Sequence, residues 1–124
     1  MLRELPNTKQ VEGEPPRKWY FSHDLDLVVW FDPVGIPCAF QLAYDKYRGE
    51  HSISWHFERG YRHYVVDDGE RHAGCFETPF LYANGPFNRD AVLERFLALS
   101  GELPTSVAEL VAEKLREFSG PIHR

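Results

Sequence analysis

The sequence predicts an α+β fold, in which an antiparallel β-meander of five to six strands is followed by two C-terminal helices packed on one sheet face. Between Lys18 and Phe80, apolar residues recur with a period of two, and turn residues interrupt them about every ten residues, which is typical of a meander. After Pro79 the period becomes helical. Two amphipathic helices each need an apolar surface to cover, and one face of the sheet offers it.

Turn residues set the expected strands and their register. The strands are Lys18–Ser22, Leu25–Phe31, Ile36–Tyr44, Ser52–Phe57, Tyr61–Asp67 and Glu70–Thr78. Asp32–Gly35 has the residues of a type I turn, and Glu58–Gly60 is a three-residue loop that ends in glycine. These turns predict that Phe31 pairs with Ile36 and that Phe57 pairs with Tyr61.

This register sorts the side chains of the strands into two faces. The apolar face is the expected core, and it holds Leu25, Leu27, Val29, Phe31, Ile36, Phe40, Leu42, Ile53, Trp55, Phe57, Tyr61, Val65 and Phe76. The other face, called the second face below, holds Asp26, Val28, Trp30, Gln41, Ser54, His56, Arg62, Tyr64, Val66 and Cys75. Because both helices are expected on the apolar face, the second face is expected to be uncovered.

An uncovered sheet face that carries Trp, Tyr and Arg among small residues is often a binding surface. The expected binding residues are Trp30, Gln41, His56, Arg62 and Tyr64. Three interpretations remain open: a homodimer contact, a groove for a small molecule or protein partner, and an ordinary, partly solvated sheet face. The leading hypothesis is a non-enzymatic binding or interaction domain.

A small enzyme is the alternative hypothesis. His63 and His72 are expected to be diagonal neighbours on one face, with Asp67 and Glu70 at the end of the same row. Such a cluster could hold zinc, or it could poise a histidine as a general base. None of these residues has a recognised metal-ligand spacing, so no metal and no cofactor are predicted.

The ends of the chain differ from its middle. Residues 1–16 are polar and interrupted by Pro6, Gly13, Pro15 and Pro16, so they predict a flexible or loosely docked N-terminal arm. Residues 17–124 are expected to form a single α+β domain.

Two helices are expected after residue 87. Asn88 can cap a helix that runs to about Ser100, and Val92, Phe96 and Leu99 form its apolar stripe. The spacing of Ser106 and Glu109 predicts a capping box at the start of the second helix.

Composition excludes several classes of protein. The 124 residues carry a net charge of −5, which argues against a nucleic-acid binder that works by neutralising phosphates. No apolar run reaches the length of a membrane span, and the first residues lack the apolar stretch of a signal peptide. Two cysteines are too few for a disulfide scaffold, and Cys38 is expected to be a small core residue. These features predict a cytoplasmic protein.

Three blocks of sequence suggest a family resemblance. Residues 29–32 read Val-Trp-Phe-Asp, residues 40–46 read Phe-Gln-Leu-Ala-Tyr-Asp-Lys, and residues 67–70 read Asp-Asp-Gly-Glu. In these blocks the chain resembles a family of short bacterial proteins with no assigned activity. The resemblance implies a stand-alone bacterial protein and assigns no catalytic residue.

Overall fold

A computed structural model describes residues 1–44, 51–65 and 89–118 of the chain. In these residues, six strands form one antiparallel sheet in sequence order, followed by two helices. The strands are β1 (Arg3–Glu4), β2 (Arg17–Phe21), β3 (Asp26–Phe31), β4 (Pro37–Tyr44), β5 (His51–His56) and β6 (Gly60–Val65). The helices are α1 (Arg89–Leu99) and α2 (Thr105–Glu117). The predicted meander with two C-terminal helices is therefore confirmed.

One of the six strands differs from the prediction. Strand β1 comes from the N-terminal arm and pairs with β2, so that Arg3 lies opposite Phe21. The predicted strand Glu70–Thr78 lies outside the described residues. A two-residue strand is too short to produce a period that sequence analysis can recognise.

The predicted register between β3 and β4 is wrong by two residues, although the apolar face and the second face keep their identity. Val29 pairs with Phe40 rather than with Cys38. Gly35, with φ 88°, adds one residue to the turn, and a bulge between the pairs of Trp30 and Phe31 adds another. Because side chains alternate with a period of two, two single insertions return the residues of β4 that follow the bulge to their predicted faces.

The predicted register between β5 and β6 is also wrong by two residues. Trp55 pairs with Tyr61, and His56 pairs with Gly60, so Phe57 belongs to the turn. The φ of Gly60 is 77°, which agrees with the left-handed conformation predicted for this glycine. This shift is again two residues, so Ile53 and Trp55 stay on the apolar face.

The main core lies between the apolar face of the sheet and the two helices. Its buried sheet residues are Leu25, Leu27, Val29, Phe40, Leu42, Tyr44 and Ile53, and its buried helix residues include Val92, Phe96, Val107, Val111 and Leu115. The Tyr61 hydroxyl donates a hydrogen bond to the carbonyl oxygen of Lys114 at 2.8 Å, which ties β6 to α2. The predicted layer arrangement is thus confirmed, and Phe31 and Trp55 pack at its margin.

Two residues predicted in the core are instead exposed. Ile36 and Phe57 each expose 58% of their surface. Both flank turns at the same end of the sheet, where the β3–β4 and β5–β6 connections lie. Strand alternation does not extend into a turn, so it does not bring these side chains under the helices. The side chain of Val65 and the whole of Phe76 lie outside the described part.

The helices begin and end close to the expected positions. In α1, Val92 and Phe96 are buried as predicted. The predicted capping box is wrong, because α2 begins at Thr105 after Pro104 and has no side-chain cap, which leaves Ser106 inside the helix. Neither described helix combines the length and apolar character needed to cross a membrane.

The N-terminal segment docks on the exposed edge of β2. Leu2 is fully buried in the core, and its N–H donates to the carbonyl oxygen of Leu99 at 2.9 Å. The Gln10 side-chain amide bonds both the N–H and the carbonyl oxygen of Arg17, at 2.8 and 2.9 Å. The particular contacts of the arm were not predicted from the sequence, and its flexibility stays a prediction.

Candidate functional site

Three rows of paired residues cross the second face from β3 to β6. They are Trp30–Ala39–His56–Gly60, Val28–Gln41–Ser54–Arg62 and Asp26–Ala43–Ser52–Tyr64. All five predicted binding residues therefore occupy register positions of the same face. For Tyr64 this placement concerns the backbone register, since its side chain lies outside the described part.

The expectation that the second face is uncovered is wrong at several positions. Trp30 is 1% exposed, Ser52 is 0% exposed and His56 is 5% exposed. The N-terminal segment contributes to this burial, since Trp30 Nε1 donates to the Glu14 carboxylate at 3.2 Å. Trp30 therefore offers little surface of its own to a partner.

A small apolar cluster forms one end of this face. Trp30 and Ala39 are buried together, and Val28 and Cys38 pack against them. The prediction that Cys38 belongs to the main core is wrong, because the bulge in the β3–β4 ladder changes its place in the register. Burial, followed by the charge of Asp32, raises the pKa of the Cys38 thiol, which makes it a poor nucleophile.

Beside this cluster lie two buried oxygen atoms that have no hydrogen-bond partner in the described part of the chain. Gln41 Oε1 and Ser52 Oγ are both buried, and neither has a partner among the residues that the structure describes. Gln41 lies on β4 and pairs with Ser54, while Ser52 lies two residues before Ser54 on β5. The two are therefore diagonal neighbours, at a distance of about 7–8 Å between side-chain origins.

Leaving such atoms unpaired is costly. A buried polar group without a partner destabilises a fold by about 1–3 kcal/mol. Buried polar groups in native proteins are nearly always satisfied by protein, water or a bound ligand. A pair of them on one sheet face therefore indicates a place where a molecule with complementary donors can bind.

The hydrogen bonds of His56 define the tautomer of its neutral ring. Its Nδ1 accepts hydrogen bonds from the backbone N–H groups of Glu58 at 3.1 Å and Arg59 at 3.3 Å. The proton of the neutral ring is therefore on Nε2. Burial, and then the charge of Arg59, lowers the pKa of His56 below its usual value, so the ring is neutral near pH 7.

The residues of the alternative, enzymatic hypothesis are only partly described. His63 pairs with Ile53, whereas His56 pairs with Gly60, so the two histidines occupy register positions of opposite parity. His72, Asp67 and Glu70 lie outside the described residues. Within residues 1–44, 51–65 and 89–118, no group of three or more His, Cys, Asp or Glu side chains is placed to hold a metal ion.

Two residues of the site were missed by the sequence analysis. Ser52 shares the parity of Ser54 and His56, so the period of two along β5 was a sufficient signal. Glu14 gave no such signal, because its contact with Trp30 joins the N-terminal arm to a strand sixteen residues later.

Comparison with known proteins gives no relative from which a function could be transferred. No protein-family model, no curated protein and no solved structure matches the chain. Any functional conclusion must therefore come from the residues themselves.

Proposed function

We propose that this chain is a non-enzymatic binding protein that holds a small polar ligand at the second face of its sheet. One observation carries the proposal: Gln41 Oε1 and Ser52 Oγ are buried, belong to diagonally neighbouring residues, and have no partner among the described residues. A ligand that forms hydrogen bonds with these two groups would offset their desolvation cost.

The surroundings of these oxygens favour binding over catalysis. His56 is a histidine that the rows place on the same face, and its Nδ1 already accepts two backbone hydrogen bonds. A general base needs an accessible lone pair at the proton that it removes, and this nitrogen has none to offer. The burial of Trp30 favours a small ligand rather than a protein surface.

A thermal-shift screen of small polar compounds tests this proposal. Compounds that bind the native state raise its stability, by about 2.7 kcal/mol at a concentration one hundred times Kd. We expect some compounds to raise the Tm of the wild type and to lose that effect in Ser52→Ala and Gln41→Leu. Compounds that stabilise all three proteins equally would show that they bind elsewhere, and the proposal would be wrong.

A different surface supports homodimer formation as a second proposal. Val34 exposes 78% of its surface, and Ile36 and Phe57 expose 58% each. The three residues lie at the same end of the sheet, and the Phe57 N–H donates to the Cys38 carbonyl oxygen at 3.1 Å, so the two turns adjoin. Exposed apolar residues that are grouped together are typical of interaction sites, and twofold homodimers are the commonest assemblies.

Light scattering coupled to gel filtration tests the dimer. We expect a concentration-dependent dimer that is lost in Ile36→Ser and Phe57→Ser. Leu97→Ser is the matched control, because Leu97 is also exposed but lies on α1. A wild type that remains monomeric at every concentration, or a dimer unaffected by either turn variant, would contradict this proposal.

A further inference from the structure

Arg62 is a cation of the second face that has no carboxylate partner among the described residues. Its side chain is half-buried, and the ion pairs of the described residues do not include it. A cation that is partly removed from water without a partner is unfavourable unless an anion compensates it.

The register places Arg62 near both unpartnered oxygens. Arg62 pairs with Ser54, and Ser54 pairs with Gln41, so Arg62 and Gln41 are two strands apart. Two strand spacings amount to about 10 Å. Ser52 is diagonal to both residues, since it pairs with Ala43 on one side and with Tyr64 on the other.

This arrangement combines three different hydrogen-bonding abilities. The guanidinium group of Arg62 is a planar donor that matches a carboxylate in two parallel hydrogen bonds. The Ser52 hydroxyl can donate as well as accept, whereas Gln41 Oε1 can only accept. A ligand that satisfies all three carries an anionic group at one end and an O–H or N–H donor at the other.

Carboxylates at this face limit the charge of the ligand: Asp26 lies on β3, and the Glu14 carboxylate accepts a hydrogen bond from Trp30 Nε1. Asp26 pairs with Ala43, which in turn pairs with Ser52. A second anionic group near Asp26 would be repelled, so a monoanion fits the face better than a dianion.

We infer that the ligand is a small hydroxy carboxylate, whose carboxylate binds Arg62 and the Ser52 hydroxyl and whose hydroxyl group donates to Gln41 Oε1. This inference rests on the binding function proposed above and adds the chemical class of the ligand. Because Arg62 and Gln41 are two strands apart, about 10 Å, the face favours acids with a few carbon atoms between the carboxylate and the hydrogen-bond donor.

Isothermal titration calorimetry with matched compounds tests the class. The probes are hydroxy carboxylates from L-lactate to 5-hydroxypentanoate, the corresponding acids without the hydroxyl group, and the corresponding hydroxy amides without the charge. We expect at least one hydroxy carboxylate to bind, with affinity reduced tenfold or more when either group is removed. Arg62→Gln should reduce carboxylate affinity at least tenfold, whereas Arg95→Gln, which removes an exposed charge on α1, should leave it unchanged.

The outcomes separate this inference from the proposed function. If hydroxy carboxylates bind Arg62→Gln as tightly as the wild type, the assignment of the anion is wrong. If the neutral amides bind as tightly as the acids and lose affinity in Ser52→Ala, the face binds a ligand but not an anionic one. If no hydroxy carboxylate binds the wild type, the inferred chemical class of the ligand is wrong. The thermal-shift screen, which uses other small polar compounds, then decides separately whether the second face binds a ligand.

Discussion

Replacing Ser52 by alanine should stabilise the protein, because the hydroxyl is buried without a partner among the described residues. The unpaired group costs about 1–3 kcal/mol, and alanine removes that cost with little change in packing. For a chain of this length, 1 kcal/mol corresponds to a rise in Tm of roughly 3–6 °C. Differential scanning calorimetry and urea denaturation of the free protein measure this change.

Ser22→Ala is the matched control for this substitution. The Ser22 hydroxyl donates to the carbonyl oxygen of Leu25 and accepts from its N–H, both at 2.9 Å. Alanine at this position loses hydrogen bonds that are made, so we expect a loss of about 1 kcal/mol. Opposite signs at the two serines support the reasoning. A loss of stability in Ser52→Ala as large as that in Ser22→Ala would refute it, since the Ser52 hydroxyl would then have a partner.

Three further substitutions test other contacts. Burial lowers the pKa of His56 below 6.5, so the unfolded chain takes up a proton at this residue before the native state does. The free energy of unfolding should therefore fall as pH decreases below about 6.5, and it should fall less in His56→Gln when urea denaturation at pH 8 and pH 5.5 is compared. Gln10→Ala should lower the free energy of unfolding by about 1 kcal/mol, because it removes the hydrogen bonds to the N–H and carbonyl groups of Arg17. It should also increase self-association in light scattering, because these groups on the β2 edge become uncovered. Unchanged scattering would contradict an edge-covering role of Gln10. Tyr61→Phe should cost about 1 kcal/mol in chemical denaturation, because it removes the hydrogen bond to Lys114, and an unchanged midpoint would mean that this bond adds nothing.

The faces of the sheet were easier to predict than its register. Val29 pairs with Phe40 instead of Cys38, yet both core positions are buried. Burial of one face penalises a shift by one residue and tolerates a shift by two, because only the former exchanges the faces. The β3–β4 turn and the bulge beside it each added one residue to the connection. The sequence has no distinct signal for the bulge or for the point at which the strand pairing ends.

The cover of the second face could not be predicted. The burial of Trp30 involves Glu14, which belongs to an arm whose composition indicates disorder. Likewise, the side-chain amide of Gln10 bonds the backbone of Arg17 where a neighbouring strand would otherwise pair. Such a contact leaves no periodic pattern in the sequence. The candidate site therefore kept its predicted residues Gln41, His56 and Arg62, while its character changed from an open surface to a buried one.

A two-dimensional ¹⁵N NMR titration of the full chain with hydroxy carboxylates tests the central claim most directly, because it locates the ligand. The account predicts saturable shifts of the Gln41 side-chain amide and of the backbone amides of Ser52 and Arg62. Shifts confined to the groove of about 520 Å³ that is lined by Arg17 and Pro33 would contradict it, as would a Gln41 amide that stays unchanged at saturation.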